Sequence, residues 1–351
     1  MIEIHRIELW LMQADFLKDE ETEEWNRYVK GHTDGTFFHL LGWRDVLSDM
    51  GLPTYFLVAR DAQQIVGALP LAHQKSFLFG NHLVSLPYCV YGGILADNDD
   101  IKQLLLERAT SLGTELGVGD VELRQQRELP GDLLQKDLYV TFRRDLPSQD
   151  EEIMQAIPRK QRAMVRKGIK AELTSEITQD LDEFYAIYAE SVRNLGTPVF
   201  GKRYFKSLSR HFAGQSDILL VRNPAGKAVA GVMSFYHNKT VLPYYGGSLT
   251  EARALKANDF MYWELMRHAA AKGMQSFDFG RSKEGTGPYS FKKNWGFTPE
   301  PLPYSHVLIK ADKIPEVNPN NPKYTKFISM WKSLPLPLAN LVGPILSRNL
   351  G

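Results

Sequence analysis

The sequence predicts a mixed α/β chain of the α+β kind, built as two tandem lobes with mixed, largely antiparallel sheets, and three observations carry that expectation. The 351 residues suit two cores of ordinary size. A β-hairpin signal occurs twice, with the same apolar runs and turn chemistry. Each copy is then followed by the same order of landmarks, which marks an internal duplication.

The first hairpin is Tyr55-Phe-Leu-Val-Ala-Arg with Ile65-Val-Gly-Ala-Leu-Pro-Leu; the second is Asp217-Ile-Leu-Leu-Val-Arg with Ala228-Val-Ala-Gly-Val-Met-Ser-Phe. Downstream stand Leu86-Pro-Tyr-Cys-Val-Tyr-Gly-Gly and Leu242-Pro-Tyr-Tyr-Gly-Gly, each read as a strand ending in a Gly-Gly turn. Helices are expected over 99–116 and 258–272, each closed by a glycine and followed by a short strand, Asp120-Val-Glu-Leu-Arg and Ser276-Phe-Asp-Phe-Gly. An aromatic-rich helical stretch opens each unit, at Phe37 and at Phe200. Hairpin connections exclude a doubly wound parallel sheet, and no Rossmann or P-loop glycine fingerprint is present. Pro147-Ser-Gln-Asp-Glu-Glu reads as a helix start capped by Ser148. The expected division is therefore a first lobe over 1–146, a second over 147–312 carrying the main site, and a Pro-rich tail over 313–351.

Lys and Arg number 42 against 41 Asp and Glu, so no global field recruits DNA or an anionic membrane. Cys89 is the single cysteine, which excludes an internal disulfide and a cysteine metal cluster and fits a reducing compartment. Nine scattered histidines and the absence of His-Glu-x-x-His leave a metal site unsupported. Met1-Ile-Glu-Ile-His-Arg lacks a secretory pattern, so the cytoplasm is expected, with the inner face of the membrane as a place of work. The apolar stretch from Leu334 is too short and proline-interrupted to span a bilayer. Docking on the protein's own body is expected for it, with peripheral membrane contact as the alternative.

Arg159, Arg162, Arg166 and Lys170 fall on one helix face, either a solvated face or a grip for phosphates. The densest chemistry lies between Phe277 and Phe297, where a strand runs through a Gly-rich loop into a short helix and offers Asp278, Arg281, Lys283, Glu284 and Lys292. No Gly-x-Ser-x-Gly elbow is present, which leaves positioning and cationic stabilisation. Tyr244 and Tyr245, like Tyr88 and Tyr91, precede Gly-Gly, where missing side chains could admit a substrate; core packing is the equal alternative.

With the duplication, this segment resembles the FemAB family, including relatives with a single recognisable GNAT-like domain that accompany exosortase and exopolysaccharide systems. The resemblance covers most of the chain and is strongest from Arg159 to Phe297. It implies two tandem GNAT-like (acyl-CoA N-acyltransferase-like) lobes. It also implies a transferase joining an activated aminoacyl or acyl group to an amine of a peptidoglycan or exopolysaccharide precursor. Phe291-Lys292 matches a pair at the family's reacting centre, whose lysine steadies an oxyanion; Lys293 is the register alternative. Asp278, Phe279 and Gly280 match the strand-plus-loop pattern, Asn258 a recurrent position opening a helix, and Arg193 a segment facing the substrate groove. Glu284 and Asp278 are within sequence reach as general base, unless they pair with Arg281 or Lys283.

The implied partner is a phosphate-bearing envelope or polysaccharide precursor, held at Arg162 and Arg166. No tightly bound cofactor is expected, and the donor co-substrate is aminoacyl-tRNA or acyl-CoA. A CoA-binding turn carries glycines ahead of a helix N-terminus. Here that position reads Glu251-Ala-Arg-Ala-Leu-Lys-Ala-Asn-Asp, and the first-lobe counterpart, Ala96-Asp-Asn-Asp-Asp, is acidic. This favours aminoacyl-tRNA or another acyl donor. An acyl-CoA-dependent N-acyltransferase on a sugar amine and a non-catalytic scaffold are the other readings.

Overall fold

The computed structural model describes residues 13–76, 80–314 and 322–348. The start of the chain, over which no secretory pattern was expected, and residues 315–321 and 349–351 of the tail lie outside the described residues.

The first elements are β1 (Gln13–Phe16), α1 (Thr22–Gly31), α2 (Gly42–Asp49), β2 (Thr54–Asp61), β3 (Gln64–Ser76), β4 (Gly80–Val84), β5 (Leu95–Ala96), α3 (Asp99–Leu116), β6 (Asp120–Arg124) and β7 (Leu134–Asp145). Next come α4 (Asp150–Ala156), α5 (Arg159–Lys170), β8 (Thr174–Thr178), α6 (Leu181–Leu195), α7 (Lys202–His211), β9 (Ser216–Arg222), β10 (Ala228–His237) and β11 (Thr240–Ser248). The last are α8 (Ala252–Leu255), α9 (Ala257–Ala271), β12 (Ser276–Asp278), β13 (Ser282–Lys283), α10 (Gly287–Asn294), β14 (Pro299–Leu308), α11 (Pro322–Ser333) and α12 (Leu336–Ser347).

Two compact units result, residues 13–138 with 302–314, and residues 139–301 with 322–348. They depart from the contiguous division at 146 and 312. Residues 143–145 of β7 pair with β12, and 139–140 with β13, so the second unit's sheet begins well before the turn signal at Pro147. That signal marks the start of α4, which has Gln149 at its N-cap and no side-chain capping bond, so Ser148 is not the cap. Tyr304–Leu308 of β14 pair with β6 in the first unit, whereas α11 and α12 pack on α6 in the second.

In the first unit the strands run β1-β2-β3-β4-β6-β14, antiparallel except for β4 with β6. Helix α3 begins where the Asn98 side chain accepts the Ile101 N–H at 2.9 Å and ends at Gly117, whose φ of 63° suits glycine. Its buried face, Ile101, Leu105, Ala109 and Leu112, joins Leu57, Leu69, Val121 and Leu123 in one core. The first Gly-Gly segment is not a strand: residues 86–94 are irregular, with Leu86 and Tyr88 at φ of 62° and 68°. The buried Arg124 guanidinium holds this backbone, donating to the carbonyls of Leu86 and Cys89 at 3.1 and 2.7 Å.

Asp120, buried in β6, links three strands by accepting Nδ1–H bonds from His82 of β4 and, at 2.8 Å, from His306 of β14. Burial pushes its carboxyl up, but the two histidine hydrogen bonds prevail and hold it at about 2. Its stabilisation is complete above the ordinary carboxylate range and is lost as pH falls toward 2, roughly 2–3 kcal/mol in all. Asp120→Asn is expected to lower stability at neutral pH by about that amount in urea unfolding. The difference from the unsubstituted chain should vanish near pH 2.

In the second unit the strands run β7-β12-β11-β10-β9-β8, with β13 also on β7 and only β11–β12 parallel. The second Gly-Gly lies inside β11, Gly246 opposite Val232 and Gly247 opposite Gly231, rather than in a turn. A Cβ on Gly247 would come within 3.0 Å of the Tyr188 Cα, so the missing side chain there admits helix α6. A Cβ on Gly168 would sit 2.8 Å from Phe260 Cβ, which lets α5 and α9 cross closely.

Candidate functional site

The site is built where β12 ends. The Asp278 carboxylate accepts the Gly280 N–H at 2.7 Å, an Asx-type turn that breaks the strand. The chain re-enters the sheet as β13, and the Thr286 hydroxyl oxygen then accepts the Tyr289 N–H at 3.5 Å to open α10, with a proline in its first turn. This short helix turns Lys292 back onto the turn. Its Nζ lies 3.0 Å from the carbonyl oxygens of both Gly280 and Arg281 and 5.5 Å from the centre of the Phe142 ring.

Lys292 is the only buried lysine among the described residues. Burial pushes its ammonium down to about 7, Asp278 opposes that shift, and Arg281 adds to it. The two carbonyls engage two of the three ammonium hydrogens. One donor remains for a substrate oxygen, in a setting where a charge is worth far more than in water.

An aromatic wall fixes α10. Trp295, fully buried, lies 6.0 Å from Phe291 and 6.3 Å from Tyr262 between ring centres, and its Nε1–H donates to Asp259 Oδ1 at 3.1 Å. Gln161 of α5 donates to the same oxygen at 3.2 Å, so one buried carboxylate joins α5, α9 and the end of α10. Burial raises the Asp259 carboxyl, the Trp295 and Gln161 hydrogen bonds opposing. Sequence reading passed over Asp259 in favour of its neighbour; the available signal was its spacing of three and seven from Tyr262 and Met266, on the face α9 buries.

The structure gathers Asp278, Arg281, Lys283, Glu284, Phe291 and Lys292 in this one turn-and-helix unit. The Arg281 guanidinium lies 4.5 Å over the Tyr139 ring, and Lys283 Nζ 5.4 Å from it. Glu284 is exposed and accepts the Tyr289 hydroxyl at 3.4 Å. Lys293 is exposed, its Nζ 5.6 Å from the Tyr289 ring centre. Asn258 is exposed in the first turn of α9.

Tyr245 is buried among Tyr188, Phe200 and Phe205 with its hydroxyl 2.7 Å from that of Tyr204, so it packs the core, while Tyr244 is half-buried. On α5, Arg166 is exposed and Arg162 half-buried with Nε lacking a protein partner. Arg193 departs from the expected groove-facing role. Its guanidinium donates to the carbonyls of Lys332 and Leu334 at 3.4 and 3.2 Å, fastening α6 to the end of α11.

Residues 154–293 match the acetyltransferase (GNAT) domain family. A segment of 134 residues is 28% identical to the lipid II:glycine glycyltransferase of Staphylococcus haemolyticus, covering 36% of this chain and 31% of that protein. The match thus spans about a third of that relative's length. The fold is similar to the crystal structure of FemX, with a TM-score of 0.69 at 15% identity over 85% of this chain and 98% of that one. It is similar also to a tandem GNAT protein from the clavulanic acid biosynthesis pathway, with a TM-score of 0.54 at 13% identity over 85% and 98% of the two chains. With the duplicated hairpin-and-helix order and the Phe-Lys pair seated on its loop, the chain carries a GNAT domain over residues 154–293 and is similar in fold to FemX and to the tandem GNAT protein.

Proposed function

We propose that the chain joins an activated aminoacyl or acyl group to an amine of a cell-envelope precursor, with Lys292 as the cation at the reacting centre. The observation that carries this is the buried ammonium with two donors fixed on carbonyls and one left over. As the acceptor nitrogen bonds to the donor's carbonyl carbon, negative charge gathers on the carbonyl oxygen, and a fixed ammonium there lowers the barrier by about 3 kcal/mol. Collapse breaks the ester or thioester bond, and the leaving oxygen or sulfur takes the electron pair and, in net, the proton given up by the amine, so that an amide and a free alcohol or thiol result. The activity named for the staphylococcal relative, glycine transfer to lipid II, supports a peptidoglycan precursor as acceptor. Arg162 and Arg166 on α5 would meet its phosphates.

Aminoacyl-tRNA is the favoured donor. A pyrophosphate cradle needs unspent N–H groups ahead of α9. The N–H groups of Ala252, Arg253 and Lys256 instead donate to the carbonyls of Leu249, Thr250 and Arg253. Glu251 adds an acidic side chain, paired to Lys227 at 2.6 Å. Calorimetric titration with acetyl-CoA and with a non-hydrolysable aminoacyl-tRNA analogue tests the reading. The analogue is expected to bind saturably and acetyl-CoA to give no heat. Saturable acetyl-CoA binding near ~10 μM, about −7 kcal/mol, would reassign the donor. Binding of neither would contradict the transferase reading.

A further inference from the structure

Helix α12 turns Ala339, Gly343 and Ser347 inward, and a Cβ on Gly343 would lie 3.0 Å from the Val199 backbone. Its other face carries Leu338, Leu341 and Ile345, which are 44%, 71% and 69% exposed. Their spacing of three and four residues puts them in one row. Met330 of α11 and Leu195 at the end of α6, the helix on which α11 and α12 both pack, are exposed too, so five of the nine large exposed apolar side chains among the described residues lie on these three helices. Scattered apolar residues need no account, but a concentrated apolar face marks an interaction surface.

The segments beside this face carry mostly basic residues, with Asp182 of α6 as an acidic neighbour paired to Lys202. Residues 327–348 contain Lys332 and Arg348 and no acid. The neighbouring helix α7, whose N-cap Gly201 lies against Pro344, carries Lys202, Arg203, Lys206 and Arg210 and no acid. Arg203, Lys206 and Arg210 are exposed and three and four residues apart, hence on one side of the helix. In a chain whose charges balance overall, this is a local basic surplus beside an apolar row. A second copy would bring the same basic surplus against itself, and like charges repel. An anionic bilayer surface complements both features, phosphates meeting Lys and Arg while the apolar row enters the acyl boundary.

We propose that α12, framed by α11 and α7, is a peripheral membrane-docking surface for anionic lipid. It lies outside the turn-and-helix unit of Lys292 and stands independently of the transferase reading. The test is co-sedimentation of the full chain with vesicles of phosphatidylcholine holding about a quarter phosphatidylglycerol, against phosphatidylcholine alone. The chain is expected to partition onto the anionic vesicles and to release in high salt. Leu341→Glu/Ile345→Glu should weaken binding by about tenfold or more without changing the melting temperature, because both sites face solvent. Leu341→Ser provides the same comparison should the double variant fold poorly. No binding to anionic vesicles, or equal binding by the variants, would overturn the proposal. So would a dimer in sedimentation velocity that the substitutions abolish, which would assign the face to a second copy.

Discussion

Lys292→Met is expected to lower kcat for group transfer by about 10²–10³, with KM little changed and the melting temperature within a few degrees of the unsubstituted chain. The near-constant stability follows from two opposed effects. The ammonium is held at about 7 against an ordinary 10.5, so removing it relieves a burial penalty of about 4 kcal/mol at neutral pH. It also strands the Gly280 and Arg281 carbonyls, at about 1–3 kcal/mol each. Between pH 7 and 10.5 the unfolded chain binds more protons at this lysine than the native one, so stability rises with pH there. The unsubstituted chain should therefore gain on Lys292→Met across that window in urea unfolding. If the ammonium is the active form, kcat should fall as pH rises through about 7, and Lys292→Arg, charged throughout, should lack that limb. A variant whose stability collapses would mean instead that the lysine serves the fold.

Trp295→Ala should cost about 3–5 kcal/mol, read as a drop in the urea midpoint. The indole is fully buried between Tyr262, Phe279 and Phe291, so truncation opens a cavity in the wall that carries α10. It also removes one donor from Asp259 Oδ1, leaving Gln161 as the remaining side-chain donor to that oxygen. Trp295→Phe should recover part of the packing and none of the hydrogen bond. Transfer by the folded fraction of Trp295→Ala should fall as well, because Lys292 precedes Trp295 on the same short helix and its reach to the Gly280 and Arg281 carbonyls depends on that helix being held. A midpoint unchanged from the parent chain would contradict this role for the wall.

The two hairpins, α3 and α9 were legible in the sequence because apolar runs there end at turn residues or at closing glycines, Gly117 and Gly273, both in the left-handed region. Gly117, for instance, ends α3 where its position in the pattern said it should. Lys292 is singled out in the sequence by the Phe-Lys pair alone, and its burial depends on Phe142, distant in sequence, and on the 278–280 turn. Other features depend on tertiary contacts that leave no local mark. Gly246 and Gly247 look like a turn but lie in a strand, where α6 crosses Gly247. Arg193 looks like a polar stop but meets carbonyls far along the chain. Asp259 does its joining through Gln161 and Trp295. The pairing of β14 with β6 in the first unit, after a run through the second, cannot be read from any window of residues.

The most direct measurement is single-turnover transfer of a labelled aminoacyl group from aminoacyl-tRNA to a lipid-linked peptidoglycan precursor, followed by mass spectrometry of the acceptor, with the parent chain and Lys292→Met side by side. The expected result is an acceptor heavier by one aminoacyl group, formed by the parent chain and slowed by about 10²–10³ in the variant. Equal rates in the two proteins would contradict Lys292 as the cation of the reacting centre. An unmodified acceptor with both that donor and acetyl-CoA would contradict group transfer to this class of precursor.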